Sequence, residues 1–384
     1  MDTFAFIIHP IDPKRDVSRK FPLLGKLLSV EQIDFFSTYF PPVYISEITG
    51  LKSAATGNEI KGWFVACPYT PAKMLALPEK TVYNKIVQTG RLAERLGARI
   101  LGLGAFTSVV GDAGVSISQR LSIPVTTGDS YTVAIAVEAV REAARQMGIA
   151  LSGAAAAVVG ATGAIGAVAA ELRAAEAPKL WLIGRRTAAL ESLRERIMAR
   201  TGAQVKIATD MAPLAEADLI LTVTSALDAV IEPRHLRPGA VVCDVARPRD
   251  VSSLVAAARD DVLVIDGGMV QTPLPGARFN FNFGFPPDRV YACMAETMVL
   301  AMEGRYESYT LGRVLTVEQV QQMGQLAAKH GFKLSGFRSF EREVTPEHFE
   351  RVAARARARR AARPLAPRPG AGVRGSAVTQ GGGQ

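Results

Sequence analysis

The run Gly160-Ala161-Thr162-Gly163-Ala164-Ile165-Gly166 constrains this chain more than any other. Ala154 to Val159 before it reads as a short buried strand. Ala167 to Ala177 after it is rich in Ala, Glu and Leu and reads as a helix. A glycine-rich turn between strand and helix lets backbone approach a pyrophosphate, and the helix N-terminus offers free N–H groups and a partial positive charge. The spacing is G-x-x-G-x-x-G, so the strands around it must carry the argument. Short β-rich runs follow in series at Leu180–Ile183, Val205–Ala208, Asp218–Thr224, Ala240–Val245 and Asp261–Ile265, with helical segments between most of them. Thr187–Arg200 and Asp250–Ala258, the latter with Asp250 as its cap, are two of these helices. The alternation predicts a Rossmann-type, doubly wound parallel sheet over residues 154–286.

Residues 1–153 mix strands and helices and read as an α/β substrate-binding domain of underivable topology. Thr81–Leu96 is a helix there, and Arg99–Gly104 a strand. Asp129 or Ser130 is expected to cap a second helix, which carries Val133, Val137 and Val140 on one face. Residues 287–350 read as a helical segment, with a helix over Asp288–Glu303. Residues 351–384 hold eight Arg and no acid, whereas the whole chain is +9; the remainder is therefore only 9 − 8 = +1. The tail reads as disordered, with a docking arm for an acidic partner or an anionic surface as the alternative. A near-neutral body without a basic stripe argues against nucleic acid. The three widely spaced cysteines suggest neither a disulfide framework nor a metal site, and the N-terminus lacks the pattern of a signal peptide. A cytoplasmic protein is expected.

In this fold the second strand ends at the adenosine ribose. Here it runs into Gly184-Arg185-Arg186, two cations and no acid, which favours NADP(H) over NAD(H). The expected cofactor contacts are Gly160, Thr162, Gly163, Ala164, Ile165, Gly166, Arg185 and Arg186, with Thr224 and Ser225 on the nicotinamide side. Cys293, early in the helix after the nucleotide domain, is the candidate nucleophile; a thiol accepts an acyl group from another thioester at little free-energy cost. A small buried hydrophobe beside a methionine stripe is the bland alternative, and Cys67 competes for the role. Cys243, inside an apolar strand, reads as buried. His9, His235, His330 and His348 show no metal spacing, and His9 reads as structural. Phe279, Phe281, Phe283 and Phe285 line either an acyl channel or a packed core. Donors for an oxyanion are sought in Phe106, Thr107 and Ser108 and in Thr126, Thr127 and Ser130, on loop chemistry.

Several stretches together resemble one family. They are Asp16-Val17-Ser18-Arg19, Ala105-Phe106-Thr107-Ser108, Thr126-Thr127-Gly128, Val159 to Gly166, Tyr291-Ala292-Cys293-Met294-Ala295-Glu296 and Lys329-His330-Gly331-Phe332. In this order, from about Asp2 to about Leu334, the chain resembles the long-chain acyl-[acyl-carrier-protein] reductases best known from cyanobacteria. The resemblance implies NADPH-dependent reduction of a fatty acyl thioester to a fatty aldehyde, with Cys293 as the acyl-accepting residue. It implies acyl carrier protein, or coenzyme A, as the acyl donor and leaves an aldehyde for a downstream enzyme. The chain departs from the family in its basic tail and in the Phe279–Phe285 run. Two other readings stand beside it: an NADP-dependent dehydrogenase of a small hydroxy acid, and a nucleotide-binding regulator without catalysis.

Overall fold

A computed structural model describes residues 1–273 and 276–362. The chain begins with β1 (Asp2–Ile8) and three short helices, α1 (Pro13–Lys20), α2 (Pro22–Leu27) and α3 (Val30–Ser37). Prolines at the first positions of α1 and α2, and the Ser29–Gln32 capping box of α3, fix where each starts. The hairpin β2 (Val43–Lys52) and β3 (Glu59–Ala66) follows, then α4 (Pro71–Ala76), α5 (Glu79–Arg95), β4 (Leu101–Leu103), two single turns α6 (Phe106–Val109) and α7 (Val115–Ser118), and β5 (Val125–Thr126). These strands form one sheet in the order β2-β3-β1-β4-β5, with only the β2–β3 pair antiparallel.

The long helix α8 (Asp129–Gln146) leads into the second sheet. Its Val133, Ala136, Val140 and Ala144 pack with the second unit, while Tyr131 and Ile135 pack with the first. The second unit comprises β6 (Ala155–Val159), α9 (Ala164–Ala174), β7 (Lys179–Ile183), α10 (Thr187–Met198), β8 (Gln204–Ala208), β9 (Leu219–Thr222), β10 (Val241–Asp244), α11 (Ser253–Ala258) and β11 (Leu263–Asp266). All six strands are parallel in the order β11-β10-β9-β6-β7-β8. The order reverses between β6 and β9, and the crevice at that reversal is where this fold takes its ligand. The expected Rossmann-type α/β class is the observed one.

After the second sheet the chain turns back. β12 (Met269–Gln271) pairs antiparallel with Arg289–Tyr291, and α12 (Ala292–Met302) follows at once. The helix expected from Asp288 therefore starts four residues later, because Arg289–Tyr291 is held extended by β12. Nearly every residue of α12 is buried, packed with Phe4, Phe6 and Phe64 of the first sheet. α13 (Val317–His330) and α14 (Pro346–Ala361) complete the described chain. The tail expected to be disordered from Arg351 is helical through Ala361. Phe349, Val352, Ala353 and Ala356 of α14 are buried, and Arg359 meets Asp260 and Asp261. The rest of that expectation, residues 363–384, lies outside the described residues. Among the described residues no helix is long and apolar enough to cross a membrane.

Candidate active site

The glycine turn is built from two kinds of glycine. Gly160 has φ +81°, and a Cβ there would lie 2.4 Å from the Val223 carbonyl oxygen; one on Gly166 would lie 2.3 Å from the Gly160 oxygen. Both positions exist because α9, β6 and β9 pack backbone to backbone. A Cβ on Gly163 would meet only the Gly160 oxygen, at 3.4 Å, so this side of the turn stays open. Gly163 is the N-cap of α9 and Ala164, Ile165 and Gly166 form its first turn. Their N–H groups and the open side of Gly163 fit a pyrophosphate.

Arg185 and Arg186 are exposed just past β7, and Arg186 Nη2 donates to the Thr162 carbonyl oxygen at 3.0 Å, hanging over the turn. Thr224 lies just beyond β9. Its N–H and Oγ1 donate to Asp250 at 2.8 and 2.5 Å, and Thr222 Oγ1 donates to the same carboxylate at 2.6 Å. Asp250 is thus no helix cap: Ser252 caps α11, and Asp250 is a buried strut beneath Thr224.

One cavity of about 570 Å³ joins the two units. Ile165, Thr224 and Ser225 line it from the nucleotide unit, together with Cys293, Thr127, Phe281, Phe283, Phe285 and residues of α2 and α3. The Phe run also packs: Phe283 sits 4.5 Å from Phe64 ring to ring, and Phe279 turns to the core. It serves as both wall and core.

Cys293 is half-buried and is the second residue of α12, closer to the helix N-terminus than a start at Asp288 implies. The N–H groups of Met294 and Cys293 favour its thiolate, yet burial, followed by the Asp129 and Glu296 carboxyls, pushes the thiol up to about 12. Cys293 is therefore a neutral thiol in the resting protein. Cys67 also lines the cavity, but it is fully buried and pushed up to about 11, chiefly by that burial. Cys243 lies inside β10, and burial raises it too.

The polar loops divide. Thr126 and Ser130 do not line the cavity. Thr126 Oγ1 donates to Glu296 Oε1 at 2.5 Å, Thr310 Oγ1 donates to the same oxygen at 2.8 Å, and Ser130 Oγ meets Thr310 Oγ1 at 2.8 Å. The Tyr131 N–H completes the set around Glu296, at 2.9 Å. Thr107 is likewise spent within its own turn, on the Gly104 carbonyl oxygen at 2.8 Å. Phe106 and Ser108 do line the cavity, though Ser108 Oγ donates to the Ala105 carbonyl oxygen at 2.7 Å. Thr127 is the remaining donor: it lines the cavity, and its buried hydroxyl is held by neither a backbone carbonyl nor Glu296 and has the Asp129 carboxyl beside it.

His9 borders the cavity, its Nε2 accepting the Phe106 N–H at 3.0 Å; burial lowers it to about 4, so it stays neutral and holds the α6 turn. Two residues here escaped the sequence reading. Asp129 was expected as a cap, but the N-cap is Gly128 in left-handed conformation, and the Asp129 carboxyl lines the cavity instead. Burial, then Glu296, pushes it up to about 7. Arg247, after β10, reaches the same cavity and donates from Nε to the Tyr291 hydroxyl at 3.2 Å. Among the described residues no group of three or more His, Cys, Asp or Glu could hold a metal ion.

Comparison with known proteins gives three results. Residues 141–266 match the family model described as shikimate/quinate 5-dehydrogenase. The chain is 29% identical over 353 residues to the long-chain acyl-[acyl-carrier-protein] reductase of Synechococcus elongatus, covering 86% of this chain and 98% of that one. It is 32% identical over 358 residues to aminotransferase PigE of a Serratia species, covering 89% of this chain but spanning only 40% of that protein's length. Among solved structures, L-tryptophan dehydrogenase of Nostoc punctiforme aligns with 93% of this chain and 88% of that one, at 13% identity and a TM-score of 0.38. The resemblance read from the motifs is borne out along nearly the whole length of the cyanobacterial reductase, and that match and the family model relate the chain to oxidoreductases.

Proposed function

We propose that this protein is an NADPH-dependent reductase that converts a long-chain fatty acyl thioester to a fatty aldehyde through an acyl-Cys293 intermediate. One observation carries the reading. The only half-exposed thiol of the chain opens on the same apolar cavity as the strand ends beside the glycine turn. The cavity wall suits an alkyl chain far better than a small polyhydroxylated acid.

The glycine turn would hold the pyrophosphate, Arg185 and Arg186 the 2′-phosphate, and Thr224 and Ser225 the nicotinamide end. When bound, NADPH supplies the hydride that reduces the acyl carbon. Cys293 Sγ bonds to that carbon and displaces the donor's thiol, which leaves with the proton that Cys293 gives up. Reduction and cleavage of the new C–S bond then release aldehyde and, with one proton taken up, restore the Cys293 thiol. We assign Thr127 as the donor to the carbonyl oxygen, since among the Thr126–Ser130 loop hydroxyls it is the one that lines the cavity and is not spent on Glu296 or Thr310. Asp250 holds Thr224 in place from below. The donor is acyl carrier protein or acyl-CoA; the name of the Synechococcus relative favours the carrier protein.

Intact mass after mixing the protein with an acyl thioester tests the reading. Without NADPH one acyl mass should add, and Cys293→Ala should remove that adduct while NADPH binding persists. With NADPH, fatty aldehyde should form. No adduct and no aldehyde across a panel of acyl thioesters would refute it. The match over residues 141–266 favours a second reading, oxidation of a small hydroxy acid; that activity would need no Cys293 and would survive its removal.

A further inference from the structure

Helices α2 and α3 and the segment after them carry apolar side chains that the core does not use. Nine of the sixteen exposed large apolar side chains among the described residues fall between Phe21 and Tyr44, and within that stretch the Phe35 ring packs against Phe36 and Tyr39. Leu23 and Leu27, one turn apart on α2, are 74% and 75% exposed, and Tyr39 just past α3 is 72% exposed. The opposite faces of the same short helices, with Leu24, Leu28 and Ile33, line the cavity, and Phe21 and Phe40 belong to both surfaces. The exposed stretch therefore borders the cavity where Phe21 and Phe40 reach solvent, and we take this as its mouth. Residues 13–44 carry five Lys/Arg and three Asp/Glu, a surplus of 5 − 3 = +2. Two of the acids are already paired: Asp16 with Arg15 and Arg19, and Asp34 with Lys73. Lys26, in the last turn of α2 beside Leu27, is exposed.

We propose that this face docks on the surface of an anionic lipid bilayer. Leu23, Leu27, Phe35 and Tyr39 enter the interfacial zone and Lys26 meets the headgroups. Aromatic and leucine side chains around basic ones are the composition that lies in that zone. A second copy of this chain on the same face would seal the mouth, whereas a bilayer leaves it open to a lipophilic product. The role of the mouth rests on the reductase reading, but the docking does not, since vesicle binding needs no turnover.

The test uses the full chain with phosphatidylcholine vesicles, with and without phosphatidylglycerol. Wild type should sediment with the phosphatidylglycerol vesicles, and part of that binding should survive high salt. Leu23→Glu with Leu27→Glu should lower the partition coefficient by about tenfold or more, with NADPH binding unchanged as the check on folding. In a separate Leu23→Trp variant, the added emission should shift to the blue on mixing. Three results would overturn the proposal. The first is binding that the Glu pair leaves intact and salt abolishes, which places it in the basic C-terminal residues. The second is no shift of the added tryptophan. The third is a wild-type dimer that the Glu pair splits without any vesicle binding, which makes the face an interface between copies.

Discussion

Gly128 packs directly against Cys293: a Cβ on Gly128 would lie 2.3 Å from the Cys293 Cα and 2.5 Å from its Cβ. Gly128 also has φ +78°, so two independent constraints exclude a side chain there. The N-terminal ends of α8 and α12 can approach each other only across this glycine, and that approach sets where the sulfur sits in the cavity.

Gly128→Ala should therefore act on the thiol before it acts on the nucleotide. The left-handed backbone alone costs about 1 kcal/mol or more for a residue with a Cβ. The contact with α12 forces a further shift. Displacing a reacting atom by about 1 Å can cost about a hundredfold in rate. Acylation of Cys293, followed by intact mass, should slow on that scale, while NADPH affinity stays near that of wild type. Acylation at the wild-type rate would mean that Gly128 does not position Cys293.

Asp129 links the site to pH. Folded, its carboxyl holds a proton up to about pH 7; its reference value is 3.8. Between these values the folded state binds more protons than the unfolded state, so stability is full below about pH 4 and declines as pH rises to about 7. The loss has an upper figure of about 4 kcal/mol. Asp129→Asn cannot ionise. Its urea midpoint should exceed that of wild type at pH 8 and converge with it near pH 4. The substitution also removes the nearest anion opposing the Cys293 thiolate, so alkylation of Cys293 by iodoacetamide at pH 8 should speed up. An unchanged alkylation rate would separate the two groups electrostatically.

Glu296 ties together the loops that flank the thiol. Its two oxygens accept from Thr126, Thr310 and the Tyr131 N–H, all in buried surroundings. Burial raises its carboxyl. Glu296→Ala leaves these three donors without an acceptor and opens a cavity, a loss of about 3 kcal/mol or more. Urea denaturation measures it directly. Glu296→Gln keeps an acceptor oxygen and should recover much of that loss; equal destabilisation by both would show that the charge, and not the hydrogen bonding, holds the loops.

The nucleotide unit was legible because each strand is a short apolar run bounded by turns, and local pattern alone reproduces its six-strand alternation. The first unit was not, because β4 has three residues and β5 two. Such segments are strands only through their partners, which are distant in sequence. The same holds for the start of α12, which is set by pairing of Arg289–Tyr291 with Met269–Gln271. Asp129 and Asp250 were misread for a common reason. An acid before a helical run looks like a cap, and nothing local tells that its carboxyl is buried against another element. Cys293 stands out as a candidate in the sequence only through the family resemblance, and its neighbours Thr127 and Asp129 become distinguishable from Thr126 and Ser130 only where the cavity separates the side chains that line it from those that face Glu296.

The proposed preference for NADPH rests on Arg185 and Arg186 and can be tested without any turnover. Both side chains are exposed at the end of β7, where the ribose of a bound dinucleotide would lie. A 2′-phosphate between two guanidinium groups gains charge-assisted hydrogen bonds that a 2′-hydroxyl cannot match. Exposure weakens each pair, so the expected effect is moderate. Arg185→Glu with Arg186→Glu should raise the NADPH dissociation constant by about tenfold, or about 1.4 kcal/mol. NADH affinity should change little, because no charge on NADH occupies that position. Titration calorimetry with both nucleotides on both proteins gives the comparison. Parallel weakening of NADH would mean that the arginines support the loop and do not read the phosphate. No change with either nucleotide would refute the reading of Arg185 and Arg186 as ligands of a 2′-phosphate.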